Sequence, residues 1–76
     1  MQPAHLHRVN AEANMARFYC IDVAPTLFGD VSVWRIWGRI GTLGRTSVET
    51  CASAEEAEKA AAQTLRQKRR RGYSVA

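Results

Sequence analysis

Val31-Ser32-Val33-Trp34-Arg35-Ile36-Trp37-Gly38-Arg39-Ile40-Gly41 decides the fold of this chain. Both tryptophans lie here, interleaved with arginine and aliphatic residues, and the run breaks at glycine. Successive side chains of a strand point to opposite faces. One parity holds Ser32, Trp34, Ile36, Gly38 and Ile40; the other holds Val31, Val33, Arg35, Trp37 and Arg39. The first set is apolar enough to be a core face. The second places a flat aromatic between two guanidinium groups, as a solvent-facing surface would. Trp34 is thus expected to be structural and Trp37 functional.

Upstream, Arg17-Phe18-Tyr19-Cys20-Ile21-Asp22-Val23-Ala24 is a β-rich run stopped by Pro25. Tyr19, Ile21 and Val23 share a core-like parity, and Phe18 falls on the Trp37 side in the obvious register. A one-residue slip would exchange the faces. Pro25 to Asp30 connect the strands, with Leu27 and Phe28 expected to fold back over the core; a protruding apolar tip is the alternative. Downstream, Gly41-Thr42-Leu43-Gly44 signals a hairpin, with an anion-binding backbone nest as the competing reading. Arg45 to Cys51 then form a third, poorly alternating strand suited to a sheet edge, and Cys51 reads as a small core filler.

Ser53-Ala54-Glu55-Glu56 is a capping box, opening a helix rich in alanine, glutamate, lysine and arginine. Gly72 supplies the stop, and the acidic start and basic end suit the helix dipole. Ala57, Ala61, Thr64 and Leu65 form a narrow stripe, with the stem of Lys68, able to approach a sheet where Gly38 leaves room. Lys59, Arg66, Arg69 and Arg70 line the other side; Arg71 and the Gly72-Tyr73 tail wrap the helix end, with Tyr73 packing on the last turn. The expected fold class is α+β: a small antiparallel meander of three or four strands with one C-terminal helix across one face.

Residues 1–14 show no sustained periodicity and are expected to be a flexible N-terminal arm ahead of a domain over 15–76. His5 and His7 read there as solvated side chains without accompanying metal ligands. The 76 residues allow one small domain, burying only about 60% of its unfolded surface. A net charge of +4 favours a polyanionic partner. Cys20 and Cys51 are too few for a disulfide scaffold and lack zinc-ligand spacing. There is no signal-peptide pattern and no run near the ~20 apolar residues of a membrane span. Free thiols in the cytoplasm are the expectation. Asp22, Asp30 and Glu49 are scattered, and no catalytic constellation, cofactor motif or metal motif is discernible.

Trp37-Gly38-Arg39 followed by Ile40-Gly41, the Arg35-X-Trp37 approach, the tyrosine-bearing strand upstream, the glycine-bracketed turn and the Ser53-led helix together resemble a WGR domain. The resemblance runs from about Arg17 to Tyr73. It implies an antiparallel sheet with one helix across a face. Such modules occur in DNA-dependent poly(ADP-ribose) polymerases and as short free-standing bacterial proteins. By that likeness Trp37 would stack on a sugar at a strand end, and Arg39 would contact phosphate or a partner protein. This sequence shows neither the zinc fingers nor the catalytic domain of those polymerases.

The function expected is a non-catalytic nucleic-acid-binding module, for DNA ahead of RNA, with little base specificity. Trp37 stacks, Arg35, Arg39 and Arg45 contact phosphate, and Gly38 belongs to the motif. Arg69, Arg70 and Arg71 are further basic contacts. The alternative is a protein-interaction module or homodimer using the same Trp/Arg patch, with a partner in trans.

Overall fold

The elements follow the chain as strand β1 (Ala4–Asn10), β2 (Met15–Pro25), β3 (Val31–Arg39), β4 (Arg45–Cys51), helix α1 (Ala54–Arg70) and strand β5 (Ser74–Val75). The computed structural model describes residues 3–76. One antiparallel sheet runs β4-β3-β2-β1-β5, and α1 crosses one of its faces. The α+β class and the meander are therefore as expected, with five strands in place of three or four.

The expected flexible arm is where the structure differs most. Residues 4–10 form β1, paired along its length with β2. Leu6 lies opposite Tyr19 and is only 1% exposed, so this segment contributes one of the largest buried side chains. Asn14 makes the β1–β2 turn, adopting φ 50 and donating its N–H to the Ala11 carbonyl at 3.1 Å. Asparagine tolerates that left-handed conformation better than other non-glycine residues.

The face assignment of β3 is also reversed. In the β2–β3 register Tyr19 pairs with Trp37, Ile21 with Arg35 and Val23 with Val33. The core parity expected for β2 is correct, and it carries the Val33–Trp37 parity of β3 beneath the helix with it. Val33 is fully buried, while Trp34 faces away from the helix and is 41% exposed. The physical reason lies in α1. Its buried contacts are Ala57 and Ala61, whose small side chains bring the backbone close to Leu6, Ile21 and Val33. A bulky indole at the centre of that contact would hold the helix off. Phe18 consequently lies on the uncovered face with Trp34, opposite Gly38, and away from Trp37.

Gly38 does not make room for the helix. A side chain there would come within 2.8 Å of the Gly44 Cα, on the β3–β4 connection. Gly44 itself has φ 73, and a Cβ on it would collide with the Trp37 carbonyl and the Phe18 ring. The paired glycines let this turn fold tightly against the end of β3. Leu27 and Phe28, expected over the core, instead stand 97% and 90% exposed at the β2–β3 tip. That connection is held by Thr26 N–H to the Asp30 carbonyl (2.9 Å) and Phe28 N–H to Thr26 Oγ1 (3.2 Å).

Both helix ends are as anticipated. Ser53 Oγ accepts from Glu56 N–H at 3.2 Å, and Glu56 Oε2 reaches back to Ala52 N–H at 3.2 Å. At the C-terminus, Tyr73 N–H donates to the Lys68 carbonyl and Gly72 N–H to that of Arg69, both at 3.1 Å. With Gly72 at φ 97 this is a Schellman motif. It turns the chain back so that β5 adds to β1, with Val75 opposite Leu6.

Leu6→Ala is expected to destabilise the protein by about 2–5 kcal/mol in urea unfolding, the usual cost of truncating a packed leucine. An unstructured arm would give no change. Trp34→Ala, on the uncovered face, is expected to cost less than Leu6→Ala in the same measurement.

Candidate functional site

The sheet register builds a transverse row of cations at one end of the helix-bearing face. Arg8 on β1 lies opposite Arg17 on β2, and Arg17 lies opposite Arg39 on β3. Directly opposed like charges destabilise a sheet, and among the described residues none of these three guanidinium groups has an ion-pair partner. Arg39 reaches only the Asn14 carbonyl and Oδ1, at 3.4 and 3.5 Å. Arg8 passes over Gly72, with its Nε 3.3 Å from where a Cβ would stand.

The neighbouring row supplies the aromatics. Leu6, Tyr19, Trp37 and Arg45 align across β1 to β4. Tyr19 and Trp37 stack with centroids 6.1 Å apart and planes inclined by 21°. Tyr73, returned by the Schellman turn, meets Tyr19 edge-on at 6.3 Å. Trp37, Gly38, Arg17, Arg39 and Tyr73 line an open hollow of about 240 Å³. Trp37 is partly buried, held on the Tyr19 side and presented to this hollow.

The last helical turn closes the site from above. Lys68 Nζ sits 4.5 Å from the Tyr19 ring centre and 5.6 Å from that of Tyr73. Desolvation lowers its pKa, and the nearby charges of Arg71 and Arg17 lower it further. Burial raises the Tyr19 pKa, with Arg35 opposing.

The expected residues divide accordingly. Trp37, Gly38 and Arg39 are brought together, and Arg45 flanks Trp37 on the edge strand. Gly38 serves backbone packing as well as lining the hollow. Arg35 does not face solvent. Its guanidinium lies under α1, bonded to Glu49 Oε1 at 2.9 Å and to Thr64 Oγ1 at 3.2 and 3.3 Å. That is a structural contact between the sheet and the helix, so Arg35 leaves the contact set. Arg71 stands beside Lys68, whereas Arg69 and Arg70 are exposed on the last turn with no contact to the hollow. Because Trp37 shares the helix-bearing face, the strand and helix charges adjoin and need not be joined around an edge.

Arg8, Arg17, Lys68 and Tyr73 were not among the expected site residues. Tyr19 and Trp37 on opposed strands held the signal for Arg17, since that register also sets Arg17 against Arg39. Arg8 was hidden with β1.

The same pattern extends to known proteins. A family model, the WGR domain, matches residues 2–76. An uncharacterized protein of Sinorhizobium fredii (strain NBRC 101917 / NGR234), y4dW, is 45% identical over 74 residues. The match covers 95% of this chain and 36% of that relative, so the chain spans about a third of its length. With the family match spanning the sheet, the helix and the Trp37-Gly38-Arg39 corner alike, this chain belongs to the WGR domain family.

Proposed function

We propose that this protein is a non-catalytic DNA-binding module whose contact surface is the hollow at the C-terminal end of α1. WGR domains are associated in general with nucleic-acid binding. The observation that carries the reading is the arginine row beside the Trp37 ring, which has no ion-pair partner among the described residues. Three opposed guanidinium groups cost stability in the free protein and become favourable when a polyanion neutralises them.

Arg17 and Arg39 contact phosphate, Arg8, Lys68 and Arg71 extend the positive field, and Arg45 reaches the strand from the sheet edge. Trp37, backed by Tyr19, stacks on a base or sugar, typically worth ~1–3 kcal/mol for a base stack. A hollow of about 240 Å³ is too small to take a duplex, which favours a strand end or nick. No helix projects toward a groove in this arrangement, so base identity is not read and the salt-dependent phosphate term dominates.

Fluorescence anisotropy with a labelled nicked or 5′-phosphorylated duplex, at low and moderate salt, tests the proposal. Wild type is expected to bind with an affinity that falls steeply as salt rises, and Trp37→Ala to lose most of it. Equal binding by both proteins would remove the stacking surface. A dimer in sedimentation that Trp37→Ala dissolves would favour the protein-interaction alternative.

Arg17→Gln separates function from stability. It is expected to weaken binding and reduce the log–log salt slope by about one. It should also stabilise the free domain by ~0.2–1 kcal/mol, because a like-charge pair is relieved. A lower melting temperature for Arg17→Gln would show that the row is structural.

A further inference from the structure

The two cysteines occupy opposite chemical environments. Cys51 is buried beneath the start of α1, and burial, then Glu49 and Glu56, push its thiol pKa up. Cys20 is half-buried on the other, uncovered face of the sheet, in β2. Register sets it opposite His5 of β1, and Nδ1 of His5 lies 3.2 Å from Sγ. At that separation the thiol S–H and the ring nitrogen are within hydrogen-bond reach, with the S–H donating when Nδ1 carries no hydrogen. His5 and Cys20 both open into a hollow of about 290 Å³, also lined by Pro3, Asp22, Trp34 and Ile36. A paired thiol and imidazole inside an apolar, aromatic-walled recess offer a nucleophile, its base and a place for an apolar substituent.

We propose that Cys20 and His5 form a thiol-modification site for small disulfides bearing an apolar or aromatic group, which lies against Trp34. Cys20 transfers its proton to His5 Nδ1, and the thiolate attacks one sulfur of the incoming disulfide. The S–S bond breaks, and its electron pair leaves on the second sulfur as a thiolate; an alkyl thiolate takes the proton back from His5, whereas a weakly basic aromatic thiolate leaves as the anion and the proton passes from His5 to water. One mixed disulfide forms on Cys20 and one small thiol is released, with no further oxidant. This exchange occurs on the face away from Trp37 and does not depend on the nucleic-acid reading.

The titratable neighbours of the pair are Asp22, two residues along β2, His7, two residues along β1, and the carboxylate of Ala76, whose N–H donates to the His5 carbonyl at 2.9 Å. From β3 and β4 the same face presents Trp34, Ile36, Thr46 and Val48, and β5 carries Ser74 and Val75, none of which changes charge.

The test uses the whole folded protein with an aromatic nitrobenzoate disulfide whose released thiolate is coloured, alongside intact-mass and peptide mapping. One thiol per chain, mapped to Cys20, is expected to react about tenfold faster at pH 7 than free cysteine, only a few per cent of which is thiolate there. Cys51→Ser should keep this phase and Cys20→Ser remove it. His5→Ala, folded by circular dichroism, should slow it to the free-cysteine rate and make the rate climb with pH as an unassisted thiol does. Reaction of Cys20 at the free-cysteine rate in wild type, or an unchanged rate and pH profile in His5→Ala, would overturn the assignment.

Discussion

The stacking of Tyr19 on Trp37 fixes how β2 and β3 meet, and the functional geometry follows from that register. With these rings opposed, Val23 and Val33 fall together beneath the alanine face of α1, and Arg17 and Arg39 fall together beyond its last turn. The hydrophobic core and the cationic hollow are therefore consecutive rows of a single surface. Sliding β3 by one residue would bury Trp34 against the helix and scatter the arginines at once. Such a slip is resisted because it would also place Arg35 away from Thr64 and Glu49.

Much of this architecture is legible from residue order. The Ser53–Glu56 box and Gly72 delimit α1, because capping is local chemistry. The hairpin at Gly41 to Gly44 is equally local, and its glycines are required by backbone contact. β1 is not legible for a physical reason: among residues 4–10 only Leu6 supplies a large buried apolar group, and its neighbours are histidine, arginine and asparagine. A strand whose inward face holds Ala4, Leu6 and Arg8 has too little alternation to announce itself. Its existence depends on the β2 partner.

The two tryptophans show where apolarity misleads. Counting hydrophobic groups favours the Trp34 face as the core, yet the helix offers alanines there is space for only against small partners. The arginine that spoils the other face is accommodated by two oxygens from different elements, Glu49 and Thr64, invisible in a single strand. The same long-range logic hid half of the hollow. Trp37, Gly38 and Arg39 are contiguous and easily found, whereas Arg8, Arg17, Lys68 and Tyr73 come together only through strand pairing and the turn after α1.

The short return of β5 has one further effect. By pairing with Leu6 and His7, and through the Ala76 N–H to the His5 carbonyl, it covers the middle of the β1 border, leaving Ala4 and the stretch from Arg8 to Asn10 outside that pairing. The β4 border, by contrast, has no strand partner along its length among the described residues. Open-ended strand polymers need two complementary borders per molecule, and here there is one of useful length. Association of folded copies through β4 alone would consequently terminate at a closed pair.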